Sequence, residues 1–219
     1  MDEGYHRPLE EYLETIFSLG AEGTEVIGAR IAESLGRSAP SVKEMLDRLE
    51  EDGYVTRQGR TVSLTERGHG VAVTVTRRHR LAERLLVDVI GLEWHKVHDE
   101  AGKWEHVISA DVEEKLIALL GDPSTCPHGN PIPGSHGGVS RAERSLAGSQ
   151  EGQEVILLRI NEMIEHDETT LMAMDAAGFI PGQRGVVSAR NNDGSIEVTA
   201  AKGSLRLSKA VVSGLFIAA

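Results

Sequence analysis

The chain has 219 residues, a formal charge of −11 and 40% hydrophobic residues, enough for one large domain or two to three small ones in a globular protein. No run approaches the ~20 apolar residues of a membrane helix, and the acidic start MDEGYHRPLEEYLE is no signal peptide. A single cysteine, Cys126, excludes an internal disulfide framework and points to a reducing cytoplasm.

Residues 8–19, PLEEYLETIFSL, carry Leu9, Tyr12, Leu13, Ile16, Phe17 and Leu19 at helical spacing. In VIGARIAESLG (26–36), Val26, Ile27, Ile31, Ala32 and Leu35 share a face and Gly36 is a stop. In SAPSVKEMLDRLEEDG (38–53), Ser38 is an N-cap, Pro40 fits the first turn, and Val42, Met45, Leu46 and Leu49 form a buried stripe. Two helices joined by a tight turn predict a helix-turn-helix. The following YVTRQGRTVSLTERG alternates around Gln58-Gly59, predicting a β-hairpin or wing.

Such a module reads DNA by placing the second helix's N-terminal end in the major groove. There Ser38, Pro40, Ser41, Lys43 and Glu44 can meet base edges or thymine methyls. Arg37, Arg57 and Arg60 are expected to hold phosphates. The negative net charge is a poor guide when basic residues cluster. Glu44, Asp47, Glu50, Glu51 and Asp52 share the recognition helix, so nonspecific affinity is expected to be weak and a dimer would help. An αα-hairpin that binds protein is the plainer alternative, and the wing favours DNA.

From Arg78 to His106 the chain packs His79, Glu83, His98, Glu105 and His106 into two helical segments joined around Gly91. At i, i+4 on a helix, His79 and Glu83 can close on one ion. One Glu–His pair is ordinarily only a solvated ion pair. Two sets on consecutive helices, with a carboxylate pair near the N-terminus, form a donor set suited to divalent first-row metals. Other histidines (His69, His95, His128, His136) are expected to be exposed, Trp94 and Trp104 to be packing residues, and Cys126 to be a free surface thiol. The loop CPHGNPIPGSHGG (126–138) is followed by the polar RAERSLAGSQ. From Glu151 come the short β-like runs EVILLRI, RGVVSAR, SIEVTA and SLRLS, with a helix at DETTLMAMDAAG.

RIAE at 30–33, SAPSVKEMLDRLEEDG, the block RHRLAERLL–GLEWHKVHDEA–WEH, and GNPIPG at 129–134 resemble the metal-dependent repressors typified by the diphtheria toxin repressor, the iron-dependent regulators and the manganese transport regulators. The resemblance runs essentially end to end. It implies a mainly α fold with small β parts: a winged helix-turn-helix (1–72), a helical metal-binding and dimerisation domain (73–140), a linker (141–150) and an SH3-like C-terminal barrel (151–219). Leu81, Leu85, Leu86, Val89, Ile90, Val107, Val112, Leu116 and Leu119 are available for the dimer seam.

The resemblance also implies two metal sites per subunit. His79, Glu83 and His98 match the ancillary site, completed from the C-terminal domain by Asp167 first, Glu168 next, or His166. Glu105 and His106 match the primary site. Iron-type members place a methionine and a cysteine where this chain has Glu11 and Gly102, while Glu14 matches an additional acidic ligand of manganese regulators. Carboxylates in place of sulfur make the site harder, favouring Mn²⁺, with Fe²⁺ the alternative. At Gly102 the backbone carbonyl, a water, or fewer ligands would serve.

The expected function is that of a cytoplasmic transcriptional repressor of metal homeostasis, with metal as co-repressor. A metal bridge from Glu11 and Glu14 to Glu105 and His106 would set the recognition helices of a homodimer on a palindromic operator, with one or two dimers per site. No membrane or small organic substrate is expected. A metal-independent winged-helix repressor is a second reading. A metal-dependent hydrolase is a third, though the sequence has no recognisable HExxH, nucleophile or phosphate loop.

Overall fold

The structure, a computed structural model, describes residues 6–136 and 142–219. The first five residues of the acidic start, and residues 137–141 where the expected loop meets the linker, lie outside the described residues. The chain divides into two compact units. One comprises the residues up to His79 with Lys103–Ile108; the other comprises Arg80–Gly102 and Ser109–Ala219. No described helix is long and apolar enough to cross a membrane.

In the first unit, helix α1 (His6–Ala21) buries Leu9, Tyr12, Leu13, Ile16 and Leu19, one stripe at helical period. Helix α2 (Gly28–Leu35) ends where Gly36 takes φ +60°. Helix α3 (Ala39–Glu51) starts at Ser38, whose hydroxyl accepts from the Ser41 N–H at 3.4 Å, with Pro40 in the first turn. Val42, Leu46 and Leu49 join Ile31 and the α1 stripe in one core. Strands β1 (Val55–Gln58) and β2 (Thr61–Leu64) form the wing, and Gly59 at φ +64° makes the turn. The Val62 N–H donates to the Val26 carbonyl at 2.8 Å, fastening the wing to the helical part. Helix α4 (Glu66–Leu85) then passes so close to the wing that a Cβ on Gly68 would stand 2.0 Å from the Tyr54 carbonyl oxygen. Glycine is required there.

In the second unit α4 runs on into a π-helical turn, Leu86–Ile90, stopped by Gly91 at φ +80°. Such turns often mark functional positions. Helices α5 (Val97–Trp104) and α6 (Ala110–Leu120) follow. The expected seam splits in two. Leu81, Leu86 and Leu116 are buried in the protomer's own core, whereas Val89, Ile90, Val112 and Leu119 are exposed; in the first unit Val107 is exposed as well.

The rest of the second unit is a six-stranded antiparallel sheet of the small SH3-like kind, in the order β3 (Glu143–Ser145), β8 (Leu215–Ala218), β4 (Glu154–Ile160), β5 (Arg184–Arg190), β6 (Ile196–Ala200) and β7 (Ser204–Leu207). Register shifts at Leu157/Arg159 and Val187/Ala189 are the bulges that bend such a sheet. Its core holds Leu157, Ile160, Phe179, Val198 and Leu215. The short α7 (Glu162–Glu165) and α8 (Glu168–Ala177) follow β4, and α9 (Lys209–Ser213) precedes β8.

Candidate metal centres

The first donor cluster lies in the first unit. Donor atoms of Glu14 on α1, His79 on α4 and Glu105 just beyond α5 lie within 4.8 Å of one another. His79 Nδ1 stands 2.5 Å from Glu105 Oε2. His106 Nδ1 stands 2.5 Å from Glu10 Oε2, and its Nε2 lies 3.1 Å from Glu105 Oε1 without hydrogen-bond geometry. Glu105 is only 3% exposed. Burying a carboxylate costs several kcal/mol unless cationic partners compensate it. Three carboxylates and two imidazoles, all oxygen and nitrogen donors, fit a hard or borderline divalent cation.

The membership differs from the expected set on α1. Glu10 takes the α1 position assigned to Glu11, because Glu10 and Glu14 are one turn apart at i, i+4 and share a face. Glu11 turns to the Arg7 and Arg37 guanidinium groups at 3.6 and 3.9 Å. His79 turns its Nδ1 to Glu105 and keeps the expected place one turn from Glu83 along α4, where the two side chains offer donor atoms to one group. Gly102 lies on α5, and a Cβ built there meets nothing within 4 Å, so space does not force glycine at that position.

The second cluster lies wholly in the second unit. His98 Nδ1 stands 2.9 Å from Glu165 Oε2 and 3.4 Å from Glu83 Oε1. His128 Nδ1 stands 2.9 Å from Glu83 Oε1 and 3.5 Å from Glu165 Oε2. Cys126 completes a triad with Glu83 and His128 whose donor atoms lie within 4.8 Å of one another. His166 packs edge-on against His98, ring centroids 4.4 Å apart. Burial alone would raise the Glu165 carboxyl pKa, but the His128 and His98 imidazoles outweigh it and hold it below its usual value. Burial, and then the Glu83 and Glu165 charges, push the Cys126 thiol well above its ordinary value. His166 is pushed down by burial and by His98.

Here the structure corrects several expectations. Asp167 does not face the cluster's histidines; its carboxylate caps α8, accepting from Thr170 N at 3.1 Å and Thr170 Oγ1 at 2.6 Å. Glu168 is exposed, its Oε1 standing 3.9 Å from His95 Nε2. Glu165 supplies the carboxylate instead. Cys126 and His128, expected at the surface, are 1% and 0% exposed, because the GNPIPG loop is stitched inward. The Ile160 N–H donates to the His128 carbonyl at 3.1 Å. Asn130 Nδ2 donates to Glu165 Oε1 at 2.5 Å and to the Ile160 carbonyl at 2.9 Å, and Trp94 Nε1 donates to the Pro127 carbonyl at 3.1 Å. His95 is half-buried, whereas His69 and His136 are exposed.

On the DNA-reading module Ser38, Pro40, Ser41, Lys43 and Glu44 are all exposed at the start of α3, as is Arg37. Lys43 pairs with Asp47 at 2.7 Å. Arg57 is not a free phosphate holder. Its guanidinium binds Asp47 Oδ1 at 2.8 Å and Glu50 Oε2 at 2.5 Å, which locks the wing to α3. Arg60 is exposed and holds Glu25 through two hydrogen bonds of 3.1 and 2.8 Å, a pair that a phosphate can replace at the wing tip.

A family model described as the N-terminal DNA-binding domain of iron-dependent repressors matches residues 6–61, and one described as their metal-binding and dimerisation domain matches residues 65–134. The iron-dependent repressor IdeR of Mycobacterium tuberculosis is 41% identical over 198 residues, 84% of this chain and 85% of the relative. The diphtheria toxin repressor of Corynebacterium diphtheriae is 43% identical over 172 residues, 74% of this chain and 76% of the relative. A solved manganese-dependent transcriptional repressor in complex with manganese is 30% identical, with a TM-score of 0.81, covering 96% of this chain and 99% of that one. A winged recognition helix, two buried His/Glu clusters and these likenesses agree: the chain belongs to the iron-dependent repressor family, as a metal-dependent, DNA-binding transcriptional repressor and not an enzyme.

Proposed function

We propose that this repressor is manganese-responsive, with the first cluster as its regulatory site. The observation that carries this reading is the donor set itself: Glu10, Glu14, His79, Glu105 and His106 supply oxygen and nitrogen, and no sulfur. Such a set favours Mn²⁺ over softer ions. The manganese-dependent repressor of similar fold supports it. An Fe²⁺ reading is favoured by the higher identity to the iron-dependent repressor IdeR.

When bound, the cation would supply positive charge at the point where α1, α4 and the residues after α5 meet. Glu10 and Glu14 would be its ligands from α1, and His79, Glu105 and His106 its ligands from the other segments. Without compensation the Glu14 and Glu105 carboxylates repel, which would loosen α1 from the segments that carry the other ligands. An arrangement with closely placed ligands is stabilised only by the difference in its affinity for the ion. We read residues 1–72 as the DNA-binding head, 73–140 as the dimerisation region and 151–219 as the barrel. A homodimer of such heads would meet a palindromic operator at successive major grooves.

Fluorescence anisotropy of chelator-stripped protein on a labelled duplex from its own promoter region tests this. Mn²⁺, Fe²⁺ (anaerobically) and Zn²⁺ are titrated separately at fixed salt. Binding at low Mn²⁺ and only at much higher Fe²⁺ is expected. Comparable activation by Fe²⁺ at lower concentration would reassign the metal, and binding indifferent to metal would end the regulatory reading.

A further inference from the structure

The second cluster differs from the first in its source and its chemistry. Glu83 and His98 come from helices and Glu165 from the end of α7, but Cys126 and His128 come from a loop carried inward. The loop's placement is specific. The Cys126 N–H donates to the Asn130 carbonyl at 2.8 Å, the Gly129 N–H donates to the Cys126 carbonyl at 2.9 Å, and Arg84 donates to the Thr125 and Cys126 carbonyls at 2.6 and 3.2 Å. Gly129, at φ +88°, fits so closely under β4 that a Cβ would stand 2.0 Å from the Leu158 carbonyl oxygen. Two donor side chains are thereby held against Glu83 in a buried space. The His128 ring faces Glu83 through Nδ1 at 2.9 Å, and its Nε2 is fully buried with no hydrogen-bond partner among the described residues, an unfavourable state for a buried polar atom.

From these observations we propose that the Cys126 thiolate and the His128 imidazole ligate the ion of the second cluster together with Glu83, making it a nitrogen, oxygen and sulfur site. This rests on the reading of the chain as a two-site metal sensor. On binding, the Cys126 S–H bond breaks heterolytically, its proton leaves to solvent and a sulfur–metal bond forms, with no change of oxidation state. Thiolate with imidazole selects softer ions such as Zn²⁺ or Co²⁺, and imidazole also suits Fe²⁺, whereas the sulfur-free first cluster suits Mn²⁺. The chain would thus carry two sites of different hardness, a regulatory one and one that fastens the GNPIPG loop to α4 and the barrel's α7.

Cobalt spectroscopy reads this directly. Cys126 is the chain's single cysteine, so any sulfur-to-cobalt charge-transfer band belongs to it. The full chain, stripped of metal and kept without thiol reagents under anaerobic conditions, is titrated with Co²⁺. A near-ultraviolet charge-transfer band saturating at one ion per chain is expected. It should vanish in Cys126→Ser, persist in Glu105→Gln, and need at least tenfold more Co²⁺ in His128→Gln. Full occupancy without the band, or an unchanged band in Cys126→Ser, overturns the proposal; the unsubstituted chain alone decides the first point, however the variants fold. Mn²⁺-activated DNA binding in a protein without the band removes this proposal and leaves the regulatory reading. The band in a protein whose DNA binding ignores metal supports the ligation and removes the regulatory reading.

Discussion

His106 Nδ1 and Glu10 Oε2 stand 2.5 Å apart across 96 positions of sequence, tying α1 to the residues that follow α5. The neighbouring Glu11 points instead to Arg7 and Arg37. The two adjacent carboxylates therefore have different tasks, and substitution separates them. Glu10→Gln should weaken Mn²⁺ binding by at least about tenfold, ~1.4 kcal/mol, read by isothermal titration calorimetry. Glu11→Gln should have a much smaller effect. A larger loss in Glu11→Gln than in Glu10→Gln would mean that α1 rotates when metal binds.

Arg60 and Arg57 divide the wing's cationic work in the same way. Arg60 is exposed at the tip, while Arg57 is spent on Asp47 and Glu50. Arg60→Ala should lower the slope of log affinity against log salt by about 1 per head. Arg57→Gln should leave that slope closer to its original value and act through a loosened wing. Operator titrations at several salt concentrations check both, and equal slopes in the two variants would count against this division.

The same clasp sets an acid dependence. The Lys43 and Arg57 hydrogen bonds lower the Asp47 pKa, and those of Arg57 lower that of Glu50. Folded pKa values below the unfolded ones mean the clasp stabilises the head above the unfolded-state values. That contribution is lost as pH falls through the folded values. Arg57→Gln should therefore unfold at lower urea than the original chain at neutral pH, and the two curves should converge once the pH falls below the folded values of Asp47 and Glu50. A constant gap across that range would show that the ion pairs contribute nothing.

How much was legible in the sequence depended on how local each signal is. The helix-turn-helix and wing follow from punctuation next to the elements themselves: Ser38 at a helix start, Gly36 at a stop, Gly59 in the turn. Strand β8 is only four residues of short apolar run, and β3 is polar and at the sheet edge, so neither shows alternation strong enough to read. Helical spacing brought out His79, Glu83, Glu105 and His106. It could not bring out Cys126, His128 or Glu165, which converge only through the fold. One signal was available: an Asp immediately before ETT is a capping pattern, and it assigns Asp167 to the α8 backbone and away from a metal.

Val89 and Ile90 are 57% and 55% exposed in the second unit, more apolar surface than an unpartnered turn needs and a surface that dimerisation would cover. In a two-fold dimer each substitution counts twice. Val89→Asp should raise the dimer dissociation constant roughly 30- to 150-fold, about 2–3 kcal/mol, measured by analytical ultracentrifugation. If the proposed paired heads read the operator together, its affinity should fall in parallel. A dimer of unchanged stability would place the seam elsewhere, on Val112 and Leu119.

On the proposed ligation by Cys126 and His128, Gly129 would join stability to metal binding in the second unit. At φ +88° a side chain is strained whatever the space, and its Cβ would also stand 2.7 Å from Arg159 Cα. Backbone strain and overpacking together should make Gly129→Ala less stable by about 2–5 kcal/mol. The loop can relieve the clash only by moving away from β4, which would carry Cys126 and His128 away from Glu83. Thermal unfolding of the metal-free protein should show the loss, and added Zn²⁺ should restore less stability than it gives the original chain. If Zn²⁺ stabilises both proteins equally, the loop's fit under β4 does not govern the second site.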